Sequence, residues 1–472
     1  MNINELYSLW CEKAVDDPDL KQELISVADD SEGINDRFYR NLEFGTGGLR
    51  GVIGAGTNRM NIYTVRRATQ GFADYINEAF DKPSVAIAYD SRIKSDVFAK
   101  AAAGVFAANG IHVYIYGELM PTPMLSFAVR ELNCQAGVMV TASHNPSKYN
   151  GYKAYGADGC QLNLTDAETV IKKVNALDMF DGVKHIKFDD AVESGMVEYI
   201  GQSVIDKFYE NVLAQGLNTN LVADSGLKVV YTPLNGTGNK PVRHILNKIG
   251  IKNVTVVPEQ EMPDGNFTTC PYPNPEIREA LELGLKLCDE VKPDLLLATD
   301  PDCDRVGIAV PDENGDYVLF SGNEVGAMLL EYICSERTRQ GTMPKNPITV
   351  KTIVTTDIIK KIAEKESCVI VGRCADYALA ENPNCINVFI HADKEFRTKR
   401  VAAELQVNES KAKDAIQKKD KQRASYYNYY TSKKWGDSRS YHLTLDSSAL
   451  GIDKCVEMIL QYLSLIHISE PT

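Results

Sequence analysis

Short apolar runs alternate along the chain with segments whose apolar residues recur at helical spacing, and several of the runs end abruptly in a polar turn. Val85-Ala86-Ile87-Ala88-Tyr89 predicts a strand, closed by the turn Asp90-Ser91-Arg92. A helix over about 64–80 precedes it; a helix running to Asn109 and a strand from His112 to Tyr116 follow. The strand Leu227 to Tyr231, the turn Thr232 to Gly238 and a helix to Gly250 repeat this pattern. It recurs beyond Phe320, with a helix through Glu336, the strand Ile348 to Val354, the turn Thr355-Thr356-Asp357 and another helix. Strand and helix in alternation predict mostly parallel sheets with helices on both faces, and the recurrence predicts three related α/β domains. Residues 4–43 carry an acid-rich helical pattern and read as an extension covering the first domain. Pro258 to Pro275, rich in Pro, Asn and Gly, reads as a long connection.

Two of the strand ends carry candidate chemistry. The buried-looking run Val138-Met139-Val140 passes into Thr141-Ala142-Ser143-His144-Asn145-Pro146, and Pro146, lacking an N–H, stops the strand. Ser143 is thereby presented at a strand's C-terminal edge, beside His144 and within reach of Lys153, a placement suited to phosphoryl or acyl transfer. The plain alternative is an ordinary loop serine, with His144 a structural hydrogen-bonder and Lys153 a solvated charge. Leu295-Leu296-Leu297-Ala298-Thr299 runs into Asp300-Pro301-Asp302-Cys303-Asp304-Arg305. Three carboxylates at alternate positions can turn oxygens toward one hard cation such as Mg2+, whereas a solvated acidic turn is the bland reading. A calcium EF-hand loop is excluded, since it would need Gly at Arg305 and Glu at Pro311.

Glycines alter the picture at two further points. Phe44-Gly45-Thr46-Gly47-Gly48-Leu49-Arg50-Gly51 lets backbone amides approach an anion while the Arg50 guanidinium adds a planar donor fork. It is no dinucleotide fingerprint, because Arg50 stands where the third glycine belongs. In Gly236-x-Gly238-x-Lys240, Pro241 replaces the hydroxyl residue of a nucleotide-binding loop, so that segment reads as a turn.

At 472 residues the chain has room for about three domains. A 44% hydrophobic and 24% charged composition is that of a soluble globular protein, and the net charge of −13 argues against a nucleic-acid partner. No apolar run approaches a membrane span and the N-terminus does not read as a signal peptide, so a cytoplasmic enzyme with no membrane partner is expected. The 11 cysteines are odd in number and include no Cys-x-x-Cys pair, as suits reduced thiols.

Together the serine loop, the aspartate loop and the glycine-rich Arg50 segment resemble the α-D-phosphohexomutase family, in its phosphoglucomutase/phosphomannomutase branch, over about residues 1–363. The resemblance implies three related α/β/α-sandwich domains, placed at 1–204 with the phosphoserine loop, at 205–318 with the metal loop and, truncated, at 319–363. It implies a small-molecule hexose phosphate as substrate, Mg2+ as cofactor and a hexose 1,6-bisphosphate as activating intermediate. Ser143 would carry the phosphate, and an oxygen of that phosphoserine would join Asp300, Asp302 and Asp304 on the metal. Thr46, Gly47, Arg50 and Arg305 would bind phosphate or substrate, with Arg305 balancing charge on the moving group. His144 would orient the serine phosphate. Lys153 and Arg50 would handle the proton and charge at the sugar hydroxyl, and a lysine among cations has the lowered pKa that general-base work requires.

After residue 363 neither the sugar-gripping Glu and Ser loop nor the phosphate loop of a fourth domain is found. Val369 to Tyr377 and Asp420 to Tyr427 instead resemble part of a cytidylate-kinase-like protein over 364–463, a partial α/β tail whose Lys394 to Lys434 stretch is basic and which has no phosphate loop of its own. Residues 464–472 read like translated adapter DNA. A chimeric reading frame joined near residues 362–366 is the simplest account, and with it an impaired enzyme. Two further readings are a non-catalytic sugar-phosphate-binding fragment and a phosphatase with Asp300 as nucleophile and Asp302 as acid.

Overall fold

The computed structural model describes residues 2–45, 47–345, 347, 386–405, 408–431 and 434–466. One compact unit spans Met1–Gly322 and is built around two sheets. The first comprises β1 (Gly48–Val52), β2 (Ser84–Tyr89), β3 (His112–Ile115), β4 (Ala136–Val140), β5 (Tyr149–Gly156) and β6 (Val197–Tyr199), in the order β1-β5-β4-β2-β3-β6. Its middle is parallel, as expected, while β5 runs antiparallel to both β4 and β1.

The apolar runs are continuous because helices cover both faces of this sheet. Val85 and Ile87 of β2, with Val138 and Val140 of β4, join one cluster with Phe72 and Phe98, while Ala86, Ala88 and Met139 join the other with Met124, Leu125 and Val129. Successive side chains of a strand point to opposite faces, so one run serves both cores. The 1–43 region forms three helices, α1 (Ile3–Lys13), α2 (Pro18–Ser26) and α3 (Ser31–Phe38). A capping box of Asn2 and Glu5 starts α1, and Asp17 and Asp30 cap α2 and α3. They dock through Trp10, fully buried and edge-on to Phe38, Tyr63 and Phe180.

The glycine-rich segment is an edge strand rather than a free loop, since β1 pairs with β5 so that Gly48 faces Lys153 and Arg50 faces Gly151. A Cβ on Gly48 would lie 1.8 Å from the Tyr152 carbonyl oxygen, so no other residue fits there.

In the second sheet β7 (Lys228–Thr232), β8 (Asn253–Val256), β9 (Leu295–Thr299), β10 (Val306–Pro311) and β11 (Tyr317–Phe320) follow the order β11-β10-β9-β7-β8. The strands β7, β8 and β9 are parallel, and the hairpin β10-β11 adds antiparallel strands on the β9 side. Val230, Leu296 and Ala298 pack with Leu281 and Cys288 of the helix Arg278–Val291, whereas Val229 packs with Leu246 on the opposite face. Phe320, where the sequence pattern places the start of a third unit, pairs with Ile308 and so completes the second sheet.

Asn323–Thr472 forms a second compact unit. Its described parts include the parallel pair β12 (Val388–His391) and β13 (Leu443–Asp446) and the helices Lys394–Leu405, Glu409–Thr431 and Ile452–Ile466. The guanidinium of Arg397 clasps Asp420 through two bonds of 2.8 and 2.7 Å. The expected strand at 348–354 and the kinase-like stretch 369–377 lie outside the described residues. Among the described residues no helix is long and apolar enough to cross a membrane.

Candidate active site

Both chemistry-bearing loops leave the C-terminal ends of parallel strands, β4 in the first sheet and β9 in the second. Ser143 sits three residues beyond β4 with φ of +54°, a left-handed backbone rarely taken by a residue with a Cβ, and is 5% exposed. Its N–H donates to Thr141 Oγ1 at 2.8 Å, and Thr141 in turn donates to Asp90 Oδ2 at 2.7 Å. The other Asp90 oxygen accepts the Arg92 N–H at 3.0 Å and the Ser95 hydroxyl at 2.7 Å. Four carbonyls of the loop, those of Ser143, Asn145, Pro146 and Tyr149, accept bonds from the Arg92 guanidinium.

The aspartate loop meets this loop directly. Asp300, fully buried, accepts the Ser143 hydroxyl on Oδ2 at 2.9 Å and the backbone N–H groups of Asp304 and Arg305 on Oδ1 at 3.1 and 3.0 Å. Asp302, also fully buried, takes the Lys153 ammonium and the Thr122 hydroxyl on Oδ2, each at 2.9 Å, while its carbonyl accepts the Thr122 N–H at 2.9 Å. Its Oδ1 is buried without a hydrogen-bond partner. One oxygen from each of Asp300, Asp302 and Asp304 lies within 4.8 Å of the others. A buried carboxylate oxygen left unpaired is costly, and a hard divalent cation would satisfy it together with the other two carboxylates.

Burial and mutual proximity shift the titration of these acids. Burial, then the neighbouring Asp302 and Asp304 carboxylates, pushes Asp300 up to about 9. Burial pushes Asp302 up as well, but the Lys153 ammonium and the Thr122 hydroxyl outweigh it and hold the group below the usual carboxylate range. For Lys153 the sequence suggests a lowered pKa, and the structure shows the reverse. Burial pulls it down, yet Asp302 at 2.9 Å and Asp304 at 3.7 Å outweigh that and raise it above an ordinary lysine. Its neighbours are carboxylates rather than cations.

His144 Nδ1 lies 3.1 Å from Ser143 Oγ. Burial first, then the charges of Arg305, Arg50 and Arg92, lower its pKa, so the ring favours its neutral form. Arg50 therefore stands within electrostatic range of the serine loop. Arg305 also lies 3.5 Å from Glu276. The Gly47 carbonyl is held by the Ala154 N–H at 2.8 Å, and Thr46 lies outside the described residues. Thus Ser143, His144, Lys153 and the three aspartates converge, with Arg50 and Arg305 supplying charge around them. Sequence reasoning missed Asp90, Arg92, Thr122 and Thr141. The turn Asp90-Ser91-Arg92 gave one available signal, since it closes β2 at the same sheet edge as the serine loop.

Comparisons with known proteins agree with this geometry. Residues 41–180 match the family model "Phosphoglucomutase/phosphomannomutase, alpha/beta/alpha domain I" and residues 206–315 match "alpha/beta/alpha domain II" of the same family. Residues 324–449 match the cytidylate kinase-like family. A phosphoglucomutase of Staphylococcus haemolyticus is 37% identical over 334 residues, which is 70% of this chain and 58% of that protein. One of Staphylococcus aureus (strain USA300) is 35% identical over 358 residues, 75% of this chain and 62% of that protein. The chain therefore spans less than two thirds of the length of these curated relatives. A solved structure from Thermus thermophilus, described as a phosphomannomutase, superposes with a TM-score of 0.58 at 26% identity, covering 71% of this chain and 69% of that one. A phosphoglucomutase/phosphomannomutase family protein of Burkholderia thailandensis shares the fold with a TM-score of 0.55 at 19% identity, over 72% of this chain and 68% of that one. Through two successive α/β/α domains that carry the serine and aspartate loops, the chain belongs to the phosphoglucomutase/phosphomannomutase family.

Proposed function

We propose that residues 1–318 carry the phosphoryl-transfer centre of a hexose phosphate mutase, interconverting hexose 1-phosphate and hexose 6-phosphate through a phosphorylated Ser143 and a hexose 1,6-bisphosphate. The observation that carries this reading is the 2.9 Å bond between the nearly buried Ser143 hydroxyl and Asp300, inside a cluster of three carboxylates. In the first half-reaction the bond from phosphorus to Ser143 Oγ breaks and one to a sugar hydroxyl oxygen forms; in the second the bisphosphate's other phosphorus–oxygen bond breaks and the bond from that phosphorus to Ser143 Oγ forms. One proton passes in net terms from that hydroxyl to Ser143 Oγ in the first and from Ser143 Oγ to the departing sugar oxygen in the second, and His144 Nδ1, 3.1 Å from Oγ, would relay it. Lys153 acts as a cation that balances Asp302 rather than as a base, and Arg50 and Arg305 face the transferring phosphate. Asp300, Asp302 and Asp304, with an oxygen of the phosphoserine, would hold Mg2+, which when bound neutralises charge on the phosphoryl group.

An aspartate-nucleophile phosphatase is the weaker reading, because both oxygens of Asp300 are engaged and the residue is fully buried. We infer a cytoplasmic setting from the free thiols of Cys11, Cys134, Cys160, Cys270, Cys288, Cys303 and Cys455, and a small-molecule rather than nucleic-acid substrate from the net charge of −13. The border between the mutase body and the kinase-like segment falls between residues 318 and 364.

Labelling with radioactive hexose 1,6-bisphosphate tests the proposal. Incorporated phosphate that survives acid marks phosphoserine and supports it. Phosphate released by hydroxylamine marks an aspartyl phosphate and supports the phosphatase, and no incorporation leaves a binding fragment.

A further inference from the structure

The serine loop hangs from the first sheet and the aspartate loop from the second, so their separation depends on how the sheets meet. Thr122 ties the two at Asp302. A second junction lies at the Arg92 turn that holds the serine loop, and involves a segment that the sequence shows only as a connection. There Asp264 Oδ1 and Oδ2 each accept a backbone N–H at 2.9 Å, from Asn266 and Thr268, and curl residues 264–268 into a tight loop. Asn235, at the end of β7, braces that loop by donating to the Met262 carbonyl at 2.8 Å and accepting the Thr269 hydroxyl at 3.0 Å. Gly265 lies flat on the Asp90-Ser91-Arg92 turn of the first sheet: a Cβ there would stand 2.6 Å from the Ile93 nitrogen and 2.9 Å from the Ser91 carbonyl oxygen. Phe267, fully buried and at φ of +49°, places its ring under the Arg92 guanidinium, 4.9 Å from centroid to carbon. That same guanidinium holds the carbonyls of Ser143, Asn145, Pro146 and Tyr149.

We propose that Gly265 and Phe267 are positioning residues: seated against Arg92, they set where the Ser143 hydroxyl stands relative to Asp300, Asp302 and Asp304. The planar guanidinium is the transmitting part, with its edge bonded to the serine loop and its face on the ring from the other sheet. This rests on the reading of Ser143 and the three aspartates as one metal-dependent site.

The test compares how much Ser143 matters to metal binding with and without the seat. Mn2+ is titrated into the full chain and followed by the electron paramagnetic resonance signal of the free ion, with Ser143→Ala made in wild-type and in Phe267→Ala backgrounds. In the wild-type background Ser143→Ala weakens Mn2+ binding by about tenfold, the lower end of the range for lost support at a metal site. In the Phe267→Ala background the same change costs less than about threefold, because the hydroxyl has already left its place and the two effects do not add. Phe267→Leu, which keeps most of the apolar volume without the ring, gives an intermediate factor and carries the comparison should Phe267→Ala fail to fold. Equal factors in folded backgrounds overturn the positioning role. If Ser143→Ala costs nothing even in the wild type, the shared metal site fails along with it. If the wild type takes up bisphosphate label on Ser143 while the factors are equal, the positioning role alone is lost.

Discussion

Ser143 and Asp300 are 157 positions apart in the chain and 2.9 Å apart in space, oxygen to oxygen. The serine's position is not its own doing. Thr141, Asp90 and Arg92 hold its loop from behind, and the aspartate loop closes over it from the second sheet. With both loops engaged, the hydroxyl faces the carboxylate cluster.

Replacing that hydroxyl removes the phosphate acceptor while leaving the carboxylates in place. Ser143→Ala is expected to lower phosphate uptake from hexose 1,6-bisphosphate by at least about 10³-fold, since loss of a nucleophile abolishes the covalent route altogether. Intact-protein mass spectrometry reads the outcome directly. Continued labelling at another residue would reject Ser143 as the acceptor.

Asp302 contributes one charge and the unpaired Oδ1 to the cluster. Asp302→Asn preserves its shape, so the fold should stay intact while Mn2+ or Mg2+ affinity falls by about 10–100-fold. Calorimetric titration measures the loss. Chelating the metal from the wild-type chain is expected to stop phosphate uptake, and re-adding Mg2+ to restore it.

Trp10 anchors the three N-terminal helices through edge-on contacts with Phe38, Tyr63 and Phe180. Trp10→Ala opens a cavity there and is expected to cost about 3–5 kcal/mol of stability, the usual range for an aromatic removed from a core. Urea unfolding should show an earlier first transition. A midpoint unchanged from wild type would show that these helices contribute little.

Burial pushes the thiols of Cys134 and Cys270 up to about 11 and that of Cys288 up to about 12, whereas Cys11 and Cys160 are exposed. Because the thiolate is the reacting form, iodoacetamide at about pH 8 should modify Cys11 and Cys160 and spare the other three, as read by peptide mass mapping. A thiol pKa raised by folding stabilises the protein below its unfolded value of about 8.5 and progressively less above it, so stability should decline between about pH 9 and 11.

Much of the site was legible because each half of it is local. Val138 to Pro146 announces a strand that stops at a serine, and Asp300, Asp302 and Asp304 announce a cation-binding loop within five residues. What supports them was not legible. The sequence presents Arg92 as one member of a turn, which describes its backbone and says nothing of a guanidinium that reaches carbonyls more than 50 positions away. Thr122 meets Asp302 from 180 positions off, and Phe267 sits in what reads as a Pro- and Gly-rich connection. The glycines of Gly48–Val52 concealed a strand, since glycine is depleted in strands and here is required by the approach of Tyr152. Lys153 was read from an expected neighbourhood of cations, and its actual neighbours have the opposite sign.

Ser143 and Cys303 both hold φ of +54°, one at the tip of each loop. A left-handed backbone at a residue with a Cβ is costly, and at both bends the outlay is met by the packing and hydrogen bonds that form when the polypeptide folds.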